Sequence, residues 1–147
     1  MLWASQIWGH KNYLINKIIK DNVIKKISEE YFALLSRKDT TSTRYEKFLK
    51  DIKGVGPSMI TEILCYTDPQ NAGIWNEKAR KALAWLEVKD IPWDKYKITG
   101  KEYNEFNNFC KRLADVLIKD DYKDIDLLFI GYFLWGIYDK FIDRGKK

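Results

Sequence analysis

The sequence predicts a single all-α domain over residues 1–147, a compact bundle of about seven helices. Apolar residues recur at the three- and four-residue spacing of amphipathic helices along most of the chain. No segment shows the strict alternation of a half-buried strand. Three prolines and eight glycines are few enough for long helices that are joined by short turns. At 147 residues, the chain is long enough to bury one hydrophobic core.

The first half of the chain contains three predicted helix starts before a glycine-rich turn. Apolar stripes predict amphipathic helices over residues 3–20 and 22–37, and a polar segment then breaks the pattern. Thr43 and Glu46 have the spacing of a capping box, in which the hydroxyl accepts an early amide and the carboxylate reaches back. This spacing predicts that a short helix opens at Thr43.

Further capping signals follow in the second half. Asn76 is placed to cap a helix with an alanine- and leucine-rich inner face. Thr99 and Glu102 repeat the capping-box spacing and open another amphipathic stretch. The last predicted helix, over residues 124–143, is apolar almost all round, which is typical of a central helix.

Charge and residue content narrow the function classes. The chain has 26 basic and 21 acidic residues, a net charge of +5, which favours a polyanionic partner without establishing one. Cys65 and Cys110 lie in apolar helical patterns and are predicted to be reduced, buried thiols of an intracellular protein. With one histidine, the sequence offers no His/Cys zinc site, and no metal site is predicted.

The sequence also argues against a membrane protein. The N-terminus lacks the basic segment and apolar run of a secretory signal. The most apolar stretch, residues 127–138, is shorter than the roughly 20 residues that span a bilayer. We therefore expect a cytoplasmic location, associated with the nucleoid if the protein binds DNA.

The most informative segment is Ile52-Lys53-Gly54-Val55-Gly56-Pro57, which lies between two short amphipathic helices. Gly54 and Gly56 allow positive φ angles and close approach to another surface, and Val55 is expected to point back against both helices. Amides at the start of the second helix would face outward, where the helix dipole favours an anion. Such a turn binds a backbone phosphate without reading a base. The alternative is a C-cap glycine followed by an ordinary turn between helices.

The charge around the turn agrees with a phosphate ligand. Residues 44–56 contain four basic residues, including Arg44 and Lys47, against two acidic ones. Arg80 lies beside two further lysines that extend the basic surface, unless they form an ordinary solvated face. The residues predicted to contact DNA are Lys50, Lys53, Gly54, Val55, Gly56, Ser58, Lys78 and Lys81.

Residues 43–88 resemble the helix–hairpin–helix DNA glycosylase superfamily. The resemblance implies a two-lobed helical bundle with its active site in the cleft between lobes, acting on double-stranded DNA. The catalytic aspartate of the family corresponds here to Asn76, a neutral amide that keeps a helix cap but loses the charge. The lyase lysine of its bifunctional members corresponds to Ser58, so that residue cannot form a Schiff base. The four-cysteine cluster of some members is absent.

Catalysis by neighbouring residues stays open at this point. Asp68 or Glu77 is near enough in sequence to supply a carboxylate, and Asn76 itself is a candidate for orienting a water molecule. Trp75 is either a base-stacking side chain, as flipping enzymes require, or a core residue.

Three functions remain after these observations. The first is a DNA-binding protein that contacts the phosphate backbone without base-excision activity. The second is a monofunctional DNA glycosylase with an atypical catalytic residue. The third is a helical interaction domain that does not bind DNA. No cofactor is expected, apart from a monovalent cation that the hairpin could hold.

Overall fold

A computed structural model describes residues 11–120 and 122–143, with side chains described from residue 15 onwards. Over this part of the chain there are seven α-helices and no β-strand, which confirms the predicted all-α fold. The helices are α1 (Lys11–Asp21), α2 (Ile24–Leu35), α3 (Thr41–Asp51), α4 (Pro57–Thr67), α5 (Glu77–Trp85), α6 (Gly100–Lys119) and α7 (Leu127–Ile137). A π-helical segment, Tyr138–Asp143, follows α7 directly, and we call it the C-terminal π-segment.

Helices α1 and α2 correspond to the first two predicted helices. Residues 3–10 of the first prediction lie outside the described residues, and α2 begins after Val23, whose backbone is extended. Leu34 is the residue of α2 that enters the core, so this helix lies at the edge of the bundle. Helix α3 packs against α2, α4 and α6, and α7 packs against α5 and α6.

The start of α3 differs from the prediction. Thr40 is the N-cap, and its hydroxyl oxygen accepts a hydrogen bond from the Thr43 amide at 3.2 Å. Thr43 therefore lies inside the first turn, and the predicted cap at this residue is wrong. Four consecutive hydroxyl residues occupy 40–43, and the cap falls on the one whose backbone is extended.

The caps of α5 and α6 are confirmed. The Asn76 side chain accepts a hydrogen bond from the Ala79 amide at 2.9 Å. At α6, the Thr99 hydroxyl accepts from the Glu102 amide, and the Glu102 carboxylate accepts in return from the Thr99 amide at 2.8 Å. These side chains satisfy amides that a helix start otherwise leaves without an acceptor.

Helix α7 is shorter and more exposed than predicted. It begins after Asp126, whose carboxylate accepts from the Phe129 amide at 2.8 Å, and only one face is buried. Tyr132 and Trp135 lie on the other face and are exposed, because that face borders a cleft instead of another helix. The inner face consists of Leu127, Ile130, Leu134 and Ile137.

Both cysteines lie in the core formed by these helices. Cys65 and Cys110 are buried and free, as predicted. Burial raises the pKa of the Cys65 thiol to about 12 and raises the pKa of Cys110 as well. Both side chains therefore stay protonated and act as small apolar core residues.

No helix within residues 11–120 or 122–143 combines the length and the apolar content that crossing a lipid bilayer requires.

Candidate nucleic-acid interface

The glycine turn, residues 52–56, is held at both ends by apolar side chains. Ile52 forms the C-cap of α3 and is buried, and Val55 packs against the core. Between them, Gly54 has a φ of 84°, which side-chain-bearing residues adopt only at a cost. The predicted positive φ of Gly54 and the inward packing of Val55 are therefore confirmed.

Hydrogen bonds from Asn22 connect the turn to the junction of α1 and α2. The Asn22 side chain donates to the Lys53 carbonyl at 2.9 Å and accepts from the Lys53 amide at 2.8 Å. It also donates to the Ile18 carbonyl, and the Ile18 side chain lies beside Gly54. The peptide groups of Lys53 are thus used within the protein, and its exposed side chain is the part that faces outward.

The start of α4 carries no side-chain cap. Gly56 is the N-cap, and Pro57, which has no N–H, is the first helical residue. The Met59 amide donates to the Gly56 carbonyl, so the positive end of the helix dipole and the Ser58 amide are what make this end favourable for an anion. Gly56 itself has a negative φ of −107°, so its predicted positive φ is wrong. A Cβ at this position would meet the Tyr96 hydroxyl, the end of a half-exposed side chain that would have to shift to admit it.

A cleft of about 810 Å³ opens beside the glycine turn. It is bordered by the start of α4, the first turn of α5 and the outer face of α7. The structure therefore brings most of the predicted site residues to one place. Those that line the cleft are Gly54, Gly56, Ser58, Asn76, Glu77, Lys78 and Lys81, whereas Lys50, Lys53, Val55, Asp68 and Trp75 do not.

Aromatic rings and lysines form one wall of this cleft. The Lys78 ammonium group lies 5.0 Å from the centre of the Trp135 ring and 5.3 Å from that of Tyr138. Lys81 lies 5.7 Å from the Tyr138 ring and pairs with Glu77. These are the separations of cation–π contacts, which hold flexible lysine side chains in place.

The two lysines of α5 differ electrostatically. Partial removal from water lowers the pKa of Lys78, and this outweighs the opposite influence of nearby carboxylates. The hydrogen bond from Lys81 to Glu77 raises the pKa of Lys81. Arg80 also lines the cleft, and its guanidinium group donates to the carbonyl oxygens of Trp93 and Asp94.

The basic residues around the turn do not all face solvent. Arg44 is buried, and the Lys47 ammonium lies 3.3 Å from the Glu30 carboxylate. Lys47, Lys50 and Lys53 are exposed, and Lys47 shares its charge with Glu30. The predicted basic patch therefore loses Arg44 and keeps three exposed lysines.

Asn76 lines the cleft while serving as the cap of α5. Replacing Asn76 with alanine is expected to reduce the free energy of unfolding by about 1 kcal/mol, because the Ala79 amide loses its acceptor. The free energy of unfolding of Asn76→Asp is expected to lie within a few tenths of 1 kcal/mol of the parent value or above it. The aspartate keeps the acceptor and adds a negative charge at a helix start. Urea unfolding of both variants measures the difference. Equal loss in both variants would contradict the capping role.

Asp68 is not a candidate for chemistry in the cleft, which corrects one of the predicted alternatives. Its carboxylate lies 2.9 Å from the Arg44 guanidinium, and both side chains are buried. It also accepts a hydrogen bond from the Asn71 side chain at 3.0 Å. The carboxylate is occupied by this pair and the loop after α4, away from the cleft.

Trp75 is a core residue, so its ring is inaccessible for stacking on a base. Its exposed fraction is 0%, and its ring packs edge-on against Phe106 with centroids 5.0 Å apart. The indole N–H donates to the Tyr96 carbonyl at 3.0 Å, and the backbone N–H donates to the Thr61 hydroxyl. The aromatic rings that do face the cleft belong to other residues, among them Tyr66, Tyr132 and Trp135.

Sequence reasoning missed one residue of the cleft, Glu62. This carboxylate lies in α4 among buried apolar residues, yet it borders the cleft. The signal that could have found it is an acidic residue inside the apolar stripe Ile60–Leu64. Glu77, the other predicted carboxylate, is exposed and paired with Lys81.

The fold and site define an all-helical protein with a glycine turn beside an aromatic and basic cleft. No family model matches the chain, and comparison with curated proteins and with solved structures finds no match either. Within residues 11–120 and 122–143, no group of three or more His, Cys, Asp or Glu side chains is arranged to hold a metal ion.

Proposed function

We propose that this protein binds the phosphate backbone of double-stranded DNA through a helix–hairpin–helix formed by α3, the glycine turn and α4. The observation that carries the proposal is the uncapped start of α4 directly after a turn that requires glycine at residue 54. Pro57 has no N–H and the Met59 amide donates to the Gly56 carbonyl, so the donor offered to a phosphate oxygen is the Ser58 amide, at the positive end of the helix dipole.

The surroundings of the turn support a polyanion as the ligand. Lys50 and Lys53 are exposed at the end of α3 and in the turn, and Lys17 and Lys78 line the adjoining cleft. Asn22 keeps the turn in one conformation, so the amides need no rearrangement on binding. Since the contacts are to phosphates, affinity depends on salt and is largely independent of sequence.

Excision of a base is not part of the proposed function. The position that resembles the family's catalytic aspartate carries the neutral Asn76, whose oxygen serves as the cap of α5. Asp68 is held in its ion pair with Arg44, and Trp75 is in the core. The proposed partner is therefore duplex DNA, bound inside the cell, without release of a base.

Charge reversal at the turn tests the proposal. Lys53→Glu is expected to weaken binding to a duplex about tenfold, because it replaces a phosphate-facing cation with an anion. The fold should be unaffected, since the backbone contacts of Lys53 with Asn22 do not involve its side chain. Fluorescence anisotropy with duplexes of unrelated sequence measures the affinity.

The matched control is Lys89→Glu, which changes the net charge equally at an exposed site outside the cleft. We expect its affinity to stay close to that of the parent. If both variants bind alike, the glycine turn is not the contact surface. If binding differs strongly between sequences, backbone contact alone is not the mode of recognition.

A further inference from the structure

We infer that the outer face of α2 binds a second copy of this chain, so that two chains form a two-fold symmetric dimer. The proposed contact surface is an exposed stripe that we call the α2 stripe, and it consists of Ile24, Ser28, Tyr31 and Phe32. Its residues are different from those that line the cleft. The inference therefore concerns a second surface, and it goes beyond the proposed function without depending on it.

Helix α2 carries apolar side chains on two sides. On the inner side, Leu34 is buried and Ile27 packs against the core. On the outer side, Ile24 and Phe32 are 67% and 72% exposed. Tyr31 is exposed as well, and it follows Ile24 by seven residues, which places the two within about 20° around the helix axis. A helix at the edge of a bundle usually has one apolar stripe, which faces the core, so the second stripe marks an interaction surface.

Two residues of opposite charge border the α2 stripe. Lys25 and Glu29 lie beside Phe32 on the helix surface, and their charged groups are 3.9 Å apart. In an antiparallel pair of α2 helices the same edges meet, so Lys25 of each copy approaches Glu29 of the other. Charge complementarity therefore favours a second copy as the partner, because a surface of one sign, such as an anionic bilayer, would repel one of these two residues.

The spacing within the α2 stripe is also self-complementary. Ile24 and Phe32 each lie four residues from Ser28. If two antiparallel stripes cross at Ser28, Ile24 of each copy faces Phe32 of the other, and the small serine lets the helices approach closely. A two-fold axis requires a contact that uses the same patch on both chains, and dimers of this symmetry are the commonest oligomers.

Sedimentation equilibrium of the full chain, without DNA, tests the inference over a concentration series that reaches the millimolar range. We expect a reversible equilibrium between monomer and dimer. Phe32→Glu should weaken the dimer at least about 30-fold, because it buries a charge at each of two symmetric positions. The monomer should stay folded, since the Phe32 side chain is exposed. The control is Val116→Glu, which replaces an exposed apolar side chain of α6 and should leave the equilibrium unchanged.

Charge exchange between Lys25 and Glu29 tests the antiparallel arrangement. Lys25→Glu places glutamates opposite each other across the interface, and Glu29→Lys places lysines there, so each variant alone should dimerise about fivefold more weakly. An equimolar mixture of the two variants should form the mixed dimer preferentially, because each facing pair then joins opposite charges. The ion pair within one chain cannot produce this preference, since it is broken in both variants. The double variant Lys25→Glu, Glu29→Lys should dimerise like the parent.

Several results would overturn the inference. A chain that stays monomeric at every concentration does so, and so does a dimer that Phe32→Glu fails to weaken. Mixed dimers in no more than the statistical proportion overturn the antiparallel pairing. Adsorption of the monomer to phosphatidylglycerol vesicles, lost in Phe32→Glu, would show that a lipid surface covers the α2 stripe in place of a second copy. Because no DNA is present, each of these results leaves the proposed function standing.

Discussion

Replacing Asp68 with alanine is expected to lower the free energy of unfolding by about 3–5 kcal/mol. The side chain is buried beside Arg44, whose guanidinium group donates to the Asp68 carboxylate at 2.9 Å and to the Leu34 carbonyl at 2.8 Å. Without the carboxylate, a buried positive charge keeps no counter-ion. Because small domains are stable by only about 5–15 kcal/mol, this is a large fraction of the total.

Denaturant unfolding followed by circular dichroism measures this effect. Glu105→Ala is the control, since the Glu105 carboxylate lies 4.0 Å from the exposed Lys101 ammonium and such pairs contribute about 0–1 kcal/mol. The double variant Arg44→Met, Asp68→Leu should be less destabilised than Asp68→Ala, because it removes both charges. A loss of less than about 1 kcal/mol in Asp68→Ala would contradict the structural role of the pair.

Trp75→Ala is expected to lower the free energy of unfolding by about 3–5 kcal/mol, because it removes the largest fully buried side chain of the core. The cavity would open against Phe106, and the Tyr96 carbonyl would lose the indole N–H that donates to it. Trp75→Phe should lower the free energy of unfolding by less, because phenylalanine fills most of the volume, although the hydrogen bond is still lost. Duplex affinity of the folded Trp75→Phe protein should change little.

Urea unfolding and duplex binding, measured on the same samples, separate the two roles considered for Trp75. Trp85→Ala is the control, because that ring is half-exposed and stacks on Phe141 with centroids 4.9 Å apart. Its expected cost is about 1 kcal/mol. Unchanged stability in Trp75→Ala, with strongly reduced affinity for DNA, would instead indicate that this ring stacks on a base.

Local features of the fold could be predicted from the sequence. Helices follow from the three- and four-residue spacing of apolar side chains, and the caps at Asn76 and Thr99 follow from residue types at fixed short separations. The prediction was ambiguous where several residues satisfied one pattern. At 40–43, four hydroxyl residues fit the cap, and backbone conformation rather than residue type selects Thr40.

Contacts between distant segments could not be predicted. Asn22 and Lys53 are 31 residues apart, and Arg44 and Asp68 are 24 apart, so no local pattern links them. The same holds for the close approach of Gly56 to the hydroxyl of Tyr96, which lies 40 residues later. These contacts depend on how helices pack, and apolar periodicity gives only the face that packs.

Only the local part of the candidate site could be predicted, because the rest depends on contacts between distant segments. The glycine turn is local, so its glycines and the lysines beside it stand out in the sequence. The cleft is assembled from α4, α5 and α7, and its aromatic wall comes from a helix that was predicted to be central. Lys78 was predicted as a phosphate contact, whereas its place over Trp135 and Tyr138 emerged only from the packing of α5 on α7.

The salt dependence of duplex binding tests the central claim most directly. Equilibrium binding of the full chain to a short duplex is measured at several salt concentrations. If the glycine turn and its lysines contact about three phosphates, affinity should fall about 40-fold between about 50 and 200 mM salt, at a slope of about −0.9 per contact. The slope should decrease by about 1 in Lys53→Glu and stay unchanged in Lys89→Glu. Affinity that does not vary with salt, or no binding at the lowest concentration, would contradict the account.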